Sequence, residues 1–301
     1  MKPLLLSLIA STALTGTAMA QDAITGFNIG ILGGENAQDR MTSNECFRKY
    51  VEEAIGVPVK VFAPADYDGV IQGLLGGTID MAWLGPSAYA KVYLTNPEAV
   101  DVAMVKTNLD KTYTYFSIGF ARADSGIKSM DDMKGKVMSF NDPNSASGYL
   151  IPRVELPVAG YSIEPGEFYG DIKFTGGHEQ TIVAVKNGDV DAGVTWADGL
   201  GDWEDGYNSG ALRKAADAGL VDMNDLVEIW RSKPIPEGPI VLRRALPQDV
   251  KQKVIDLTMG LIDKDKDCTY GIAAGETAGF SLVGHEVYET MIEVRRQQDG
   301  M

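Results

Sequence analysis

Two serines flanking Ala146 and followed by Gly148 stand in the stretch "FNDPNSASGYLIPR", Phe140 to Arg153. An apolar, strand-like approach ends there in turn formers and gives way to a helix-like run containing Pro152. Such a helix start can hold an anion. Its first N–H groups lack intrahelical acceptors, and the helix dipole presents its positive end. Ser145 or Ser147 suits the N-cap, Gly148 allows close backbone approach, and Pro152 should kink the axis unless the helix is short. A hydrogen bond to a charged group contributes about 1.5–3 kcal/mol net. Four or five would supply most of the roughly 8 kcal/mol of a micromolar complex without any arginine. Taken alone, the same pattern also describes serines that merely cap a helix.

Other donors are spaced so that they could join this one. "WLGPSAY" offers a second helix start, with Pro86 in the first turn and Ser87 free to donate. Tyr67 in "PADYDG" and Tyr115 in "YTYFS" add phenols, and His178 in "GGHEQ" opens another helix-like run. The same residue types permit a hydrolase, with Ser145 or Ser147 as nucleophile, His178 as base and Asp198 or Glu179 as orienter. No GxSxG elbow or metal cluster accompanies them. "HEQTI" is not HExxH, so the reading calls for no metal and no cofactor.

The elements that must position these residues repeat. "DGVIQGLLGGTIDMAWLGPSAY" and "EQTIVAVKNGDVDAGVTWADGL" both run helix, glycine stop, short buried strand and loop, with Gly77–Asp80 lying over Gly188–Asp191. "FNIGILGGEN" and "KVMSFNDPNS" match as strands entering small polar loops. Alternating strands and helices predict an α/β fold with a largely parallel sheet in each of two lobes. Ligands of open α/β sheets sit beyond the carboxyl ends of the strands. That rule points to the loops 33–37, 84–87, 141–148 and 196–199, facing one another across a cleft. The crossings between lobes are expected near Ala121 and near Pro234, where three prolines fall within six residues. Lobe 1 is then 21–120 plus 237–301, and lobe 2 is 121–236. Two crossings form a two-segment hinge that permits closure.

Composition narrows the partners. A formal charge of −15 argues against nucleic acid and anionic lipid surfaces, since neither meets enough Lys or Arg. Residues 1–20, "MKPLLLSLIASTALTGTAMA", read as a cleavable secretory signal peptide, which implies a periplasmic location. The two cysteines, Cys46 and Cys268, could pair in an oxidising compartment, though their spacing alone does not decide it.

"DYDGVIQGLLGGTIDMAWLGPSAY", "FNDPNSASGYLIPR", "GGHEQTIVAVKNGDVDAG" and "PIPEGPIVLRR" together resemble the phosphate/phosphite/phosphonate substrate-binding family of bacterial ABC transporters. The resemblance runs through nearly all the chain after the leader. It implies a type II periplasmic binding protein of two lobes that close on a ligand and deliver it to a membrane permease. It also implies phosphonate oxygens against Ser145, Ala146 and Ser147, with Tyr67, Tyr115 and His178 nearby. Ala146 stands where members of the family often carry threonine.

Aminoethylphosphonate binders of the family hold the ligand's ammonium with two carboxylates. One matches Asp198, while the other falls at Gly238, beside Glu237. The first expectation is therefore 2-aminoethylphosphonate, its ammonium taken by Asp198 with help from Glu237 and the face of Trp196; Glu35 is a further secondary candidate. The alternative is phosphite, methylphosphonate, phosphate or another simple oxyanion.

Overall fold

A computed structural model describes residues 24–33, 36–164 and 166–301. The leader read over residues 1–20 and the candidate Glu35 lie outside the described residues. The chain opens with β1 (Phe27–Ile31), α1 (Ala37–Ile55), β2 (Val59–Phe62), α2 (Tyr67–Leu75), β3 (Met81–Trp83), α3 (Pro86–Thr95) and β4 (Val100–Lys106). It continues through β5 (Thr114–Arg122), β6 (Val137–Phe140), α4 (Ile151–Val158), β7 (Asp171–Phe174), α5 (His178–Asn187), β8 (Ala192–Ala197), α6 (Ala211–Asp217), β9 (Leu226–Arg231) and β10 (Ile235–Pro236). The last elements are β11 (Pro239–Arg243), α7 (Gln248–Met259), α8 (Leu261–Lys264), α9 (Lys266–Ile272), β12 (Phe280–Leu282) and α10 (Glu289–Gln298). Among the described residues, no helix is long and apolar enough to cross a membrane.

The strands form two sheets, ordered β12-β4-β11-β3-β1-β2 and β10-β5-β8-β6-β7, with β9 also paired to β5. This is the two-lobed type II arrangement. In each lobe a central strand, β1 or β6, pairs in parallel with the two strands that follow it. One antiparallel strand then closes on the third, β11 on β3 and β5 on β8. The internal repeat extends to single hydrogen bonds. Asp80 accepts from Asn28 N–H at 2.9 Å, and Asp191 accepts from Val137 N–H at 2.8 Å. Each aspartate satisfies an amide at the start of the central strand, one residue before its pairing with the third strand begins.

Strand alternation gives each sheet two apolar faces. Ile29, Met81, Met104 and Leu242 pack with Phe47 and Val51 of α1, while Ala82 and Val241 meet Val70 and Leu74 of α2. In the second sheet, Ile118 and Phe120 meet α5 and α6, and Met138, Phe140 and Val194 face Leu156. Cys46 on α1 is bonded to Cys268 on α9, tying the C-terminal helices to the first lobe.

The sequence put the first crossing near Ala121, but the chain changes sheets earlier, between Lys106 and Thr114. The apolar run 115–121 is itself a strand, hydrogen-bonded along its length to β8 and β9, so it belongs wholly to the second sheet. The return passes between Pro236 and Pro239. The sheet path therefore assigns 114–236 to one lobe and both flanking segments to the other.

Candidate functional site

The loop after β6 is built to leave amides open. Ser145 caps the helix by accepting from Gly148 N–H at 2.9 Å, and its own N–H is held by Asp142 O. The first turn, Ala146–Leu150, is wound as a π-helix, with Leu150 N–H reaching Ser145 O. Pro152 accounts for that wide turn. It has no N–H, and its ring would clash with the carbonyl four residues back in a regular α-helix. The carbonyls it cannot serve find other donors: Ser117 Oγ gives to Ser147 O at 2.6 Å, and Asn141 N–H gives to Gly148 O at 3.0 Å. Expected as a kink, Pro152 instead sits at the start of α4 behind the widened turn. As the first helical residues, Ala146 and Ser147 have N–H groups without intrahelical acceptors. Gly148 is required here, because a Cβ would lie 2.7 Å from Asn141 Cβ and 2.8 Å from Ser145 Oγ.

These amides face a cavity of about 190 Å³ between the lobes, also lined by Tyr67, Tyr115, His178, Trp196 and Glu237. Pockets for drug-sized molecules are larger, about 300–1,000 Å³, so this one suits a small ligand. Tyr67 and His178 open α2 and α5, equivalent helices of the two lobes, and meet across the cavity with Tyr67 Oη 3.3 Å from His178 Nε2. Ser145 Oγ lies 3.4 Å from the same nitrogen. Asn141 Nδ2 contacts Nδ1, with Thr195 Oγ1 at 3.2 Å. An amide donating to Nδ1 keeps the imidazole proton on Nε2, where it can be donated into the cavity. Burial, reinforced by the nearby Glu237 carboxylate, pushes the Tyr115 phenol well above the ordinary tyrosine range, so it remains a donor.

Arg40, missed in the sequence, lines the same cavity and is buried, its guanidinium donating to carbonyls of Ile31, Leu32 and Pro64. Its carbonyl partners come from the ends of two different strands, which local pattern reading does not bring together. The lobes are clasped around the cavity. Asn36 N–H reaches Glu179, Tyr67 N–H approaches Asp142, and Arg295 on α10 holds Pro143 O and Asn144 Oδ1 of the second lobe.

Two expected ligand contacts are not found in the cavity wall. Ser87 is fully buried on α3, its hydroxyl accepting from Arg295 at 3.1 Å, while Gly85 and Pro86 line the cavity instead. Asp198 is also buried and absent from the lining; its Oδ1 accepts from Leu200 N–H at 3.2 Å. Burial raises the Asp198 carboxyl above its usual range, opposed by the charge of Lys106. Lys106, at the end of β4, went unnoticed in the sequence. Its ammonium is fully buried, 2.9 Å from Ser209 Oγ, 3.3 Å from Glu237 Oε2 and 5.2 Å from the centre of the Trp196 ring. A strand-end lysine looks solvent-bound in sequence, and only the packing of the second lobe over it reveals otherwise.

Of the hydrolase reading, the approach of Ser145 Oγ to His178 Nε2 at 3.4 Å is present, but the carboxylates expected to orient the imidazole are engaged with backbone amides. Nδ1 of His178 meets Asn141 and Thr195, Asp198 is engaged as above, and Glu179 accepts from Asn36.

The family model for periplasmic substrate-binding proteins of phosphonate ABC transporters matches residues 29–288. The phosphonates-binding periplasmic protein of Escherichia coli is 30% identical over 262 residues, covering 84% of this chain and 71% of that protein. The phosphate-import protein PhnD of Mycolicibacterium smegmatis is 29% identical over 227 residues, covering 73% and 67%. Among solved structures, a binding-protein component of an ABC phosphonate transporter from Pseudomonas aeruginosa superposes with TM-score 0.77 at 24% identity, over 91% of this chain and 87% of that one. A methylphosphonate complex from Prochlorococcus marinus gives 0.76 at 17% identity, over 92% and 99%. These two structures share the fold. With two sheets about one cleft and the family's model matched along most of its length, the chain belongs to the periplasmic substrate-binding proteins of phosphonate ABC transporters.

Proposed function

We propose that this protein captures an organophosphonate with its three oxygens in the turn Ser145–Ser147, closes its lobes on it, and presents it to a membrane permease from the periplasm. The observation that carries the reading is the set of donors around one small cavity: the Ala146 and Ser147 amides, the Tyr67 and Tyr115 phenols and the Nε2 proton of His178. These donors stabilise a dianion chiefly by oriented dipoles, while the Arg40 guanidinium on the same wall is held by backbone carbonyls. At about 1.5–3 kcal/mol each, they suffice for micromolar affinity. Relatives named for phosphonates and for phosphate import share this chain's family, which fits a site that recognises the tetrahedral head first.

Within this reading, 2-aminoethylphosphonate is the ligand first expected from Asp198 and Glu237, and a simple alkylphosphonate or phosphite is the alternative. Calorimetric titration of refolded, ligand-free protein at neutral pH tests the class. Micromolar or tighter binding of at least one phosphonate is expected, weakened about tenfold or more by Tyr115→Phe. Heat for none of methylphosphonate, ethylphosphonate, 2-aminoethylphosphonate or phosphite would remove the reading.

A further inference from the structure

Resting on that reading, we propose that Lys106 sets the specificity of the site from behind its wall: its ammonium already holds the Glu237 carboxylate and the Trp196 face that a ligand amine would meet, and the protein selects phosphonates whose substituent carries no positive charge. The groups on the cavity wall that would meet a ligand ammonium are the Glu237 carboxylate and the Trp196 face, with the Asp198 carboxylate behind them. Lys106, itself behind the cavity lining, engages Glu237 and Trp196 directly. Its Nζ is 3.3 Å from Glu237 Oε2 and 5.2 Å from the Trp196 centroid, and its charge acts on Asp198. Ser209 Oγ, 2.9 Å away, completes the shell of a side chain with no exposed surface.

The arrangement spans the hinge. Lys106 ends β4 of the first lobe, Trp196, Asp198 and Ser209 belong to the second, and Glu237 lies on the returning crossing. Lys106 is thus enclosed by the second lobe. A ligand bearing its own ammonium would bring a second buried cation beside the first, with like-charge repulsion and little water to screen it. The backbone leaves no room to add an acid for it. A Cβ on Gly238 would stand 1.9 Å from Leu84 O, so the wall next to Glu237 accepts no side chain. Two buried carboxylates lie in the neighbourhood of one lysine, and neither Asp198 Oδ2 nor Glu237 Oε2 has a hydrogen-bond donor aligned on it. The raised proton affinity of Asp198 offers another way to balance that charge, since a proton can be taken where no ligand cation fits. Asp198 does not line the cavity, whereas the apolar face of Trp196 does, and an alkyl substituent can pack on it.

The test is calorimetric titration of the full chain, stripped of ligand, with ethylphosphonate and with 2-aminoethylphosphonate, in wild type and Lys106→Met. Wild type is expected to bind ethylphosphonate at least about tenfold more tightly. In Lys106→Met the ratio should move toward the amine by about tenfold or more, because Glu237 loses its internal partner and the buried cation is gone. The pair Lys106→Met/Asp198→Asn removes one charge of each sign and leaves Glu237 to receive the amine. It should move the ratio the same way, and it serves if the single variant does not fold. A wild type that prefers 2-aminoethylphosphonate, or a ratio unmoved in the folded variant, would overturn the assignment of Lys106 while leaving phosphonate capture intact. Binding of neither compound, nor of phosphite, would instead remove the phosphonate reading and this inference with it.

Discussion

The two ends of the cavity solve opposite problems with the same materials. At the Ser145–Ser147 turn, the chain keeps amides and hydroxyls directed inward, and every carbonyl orphaned by Pro152 receives a donor from elsewhere. At the Lys106 end, charged groups are gathered from both lobes and answer one another across 3.3 Å, so little is offered to a ligand. Neutral dipoles can be left open because their desolvation is modest. Buried charges must be matched within the protein or lose stability. The difference teaches where recognition resides: the head group is read by neutral donors that meet one another around the cavity, and the substituent is read by what an internal ion pair leaves over.

Substitutions can break this contrast one end at a time. The largest loss of binding is expected from Gly148→Val. Its side chain would enter space held by Asn141 and Ser145 Oγ, opening the cap and misaligning several donors at once. Loss of about 4 kcal/mol, or roughly a thousandfold in affinity for every phosphonate, should be read by calorimetry alongside thermal melting. Tyr115→Phe removes one donor at the same end. It should cost all phosphonates about 1.5–3 kcal/mol, roughly ten- to a hundredfold. Since the Tyr115 phenol is raised well above its ordinary range, wild-type affinity should show no decline from its ionisation between pH 7 and 9.

A smaller and uniform effect should follow Arg295→Met. That side chain touches neither end but joins Ser87 to Pro143 and Asn144 across the lobes, so its loss favours the open form. A decrease of about 1 kcal/mol, or roughly fivefold, in all affinities is expected, measured as a faster ligand off-rate. The least effect on binding should come from reducing Cys46–Cys268, which joins two helices of the first lobe and does not itself line the cavity. Here stability changes instead. Opening a cross-link with a sequence separation of 222 should cost about 5 kcal/mol by loop entropy, seen as a lowered denaturation midpoint with unchanged affinity below it.

Much of this was legible in the chain. The serine cap, the helix-like run from Asp68, the helix start at His178 and the echo between the two halves are local patterns, and local patterns survive in sequence. The doubled aspartate motif even placed Asp80 and Asp191 at equivalent strand entries. Ser87 misled because a small hydroxyl at a helix start looks the same whether it faces a ligand or an arginine 208 residues away. Asp198 misled for a related reason, and Lys106 was invisible. A charge buried by a distant loop leaves no periodicity, and its partners Ser209 and Glu237 come from segments that meet only after both lobes have folded. The crossing near Ala121 was misplaced because strand β5 carries small residues, Gly119 and Ala121, that read as a linker but pair on both edges.

The head-group turn is the claim on which the rest stands, and a crystal structure of the protein grown with methylphosphonate tests it most directly. The account predicts phosphonate oxygens within hydrogen-bond distance of the Ala146 and Ser147 amides and of the Tyr67 and Tyr115 hydroxyls, with the methyl group toward Trp196. Density for the phosphonate at the Arg40 and Lys214 side of the cavity, with that turn facing only solvent, would contradict it.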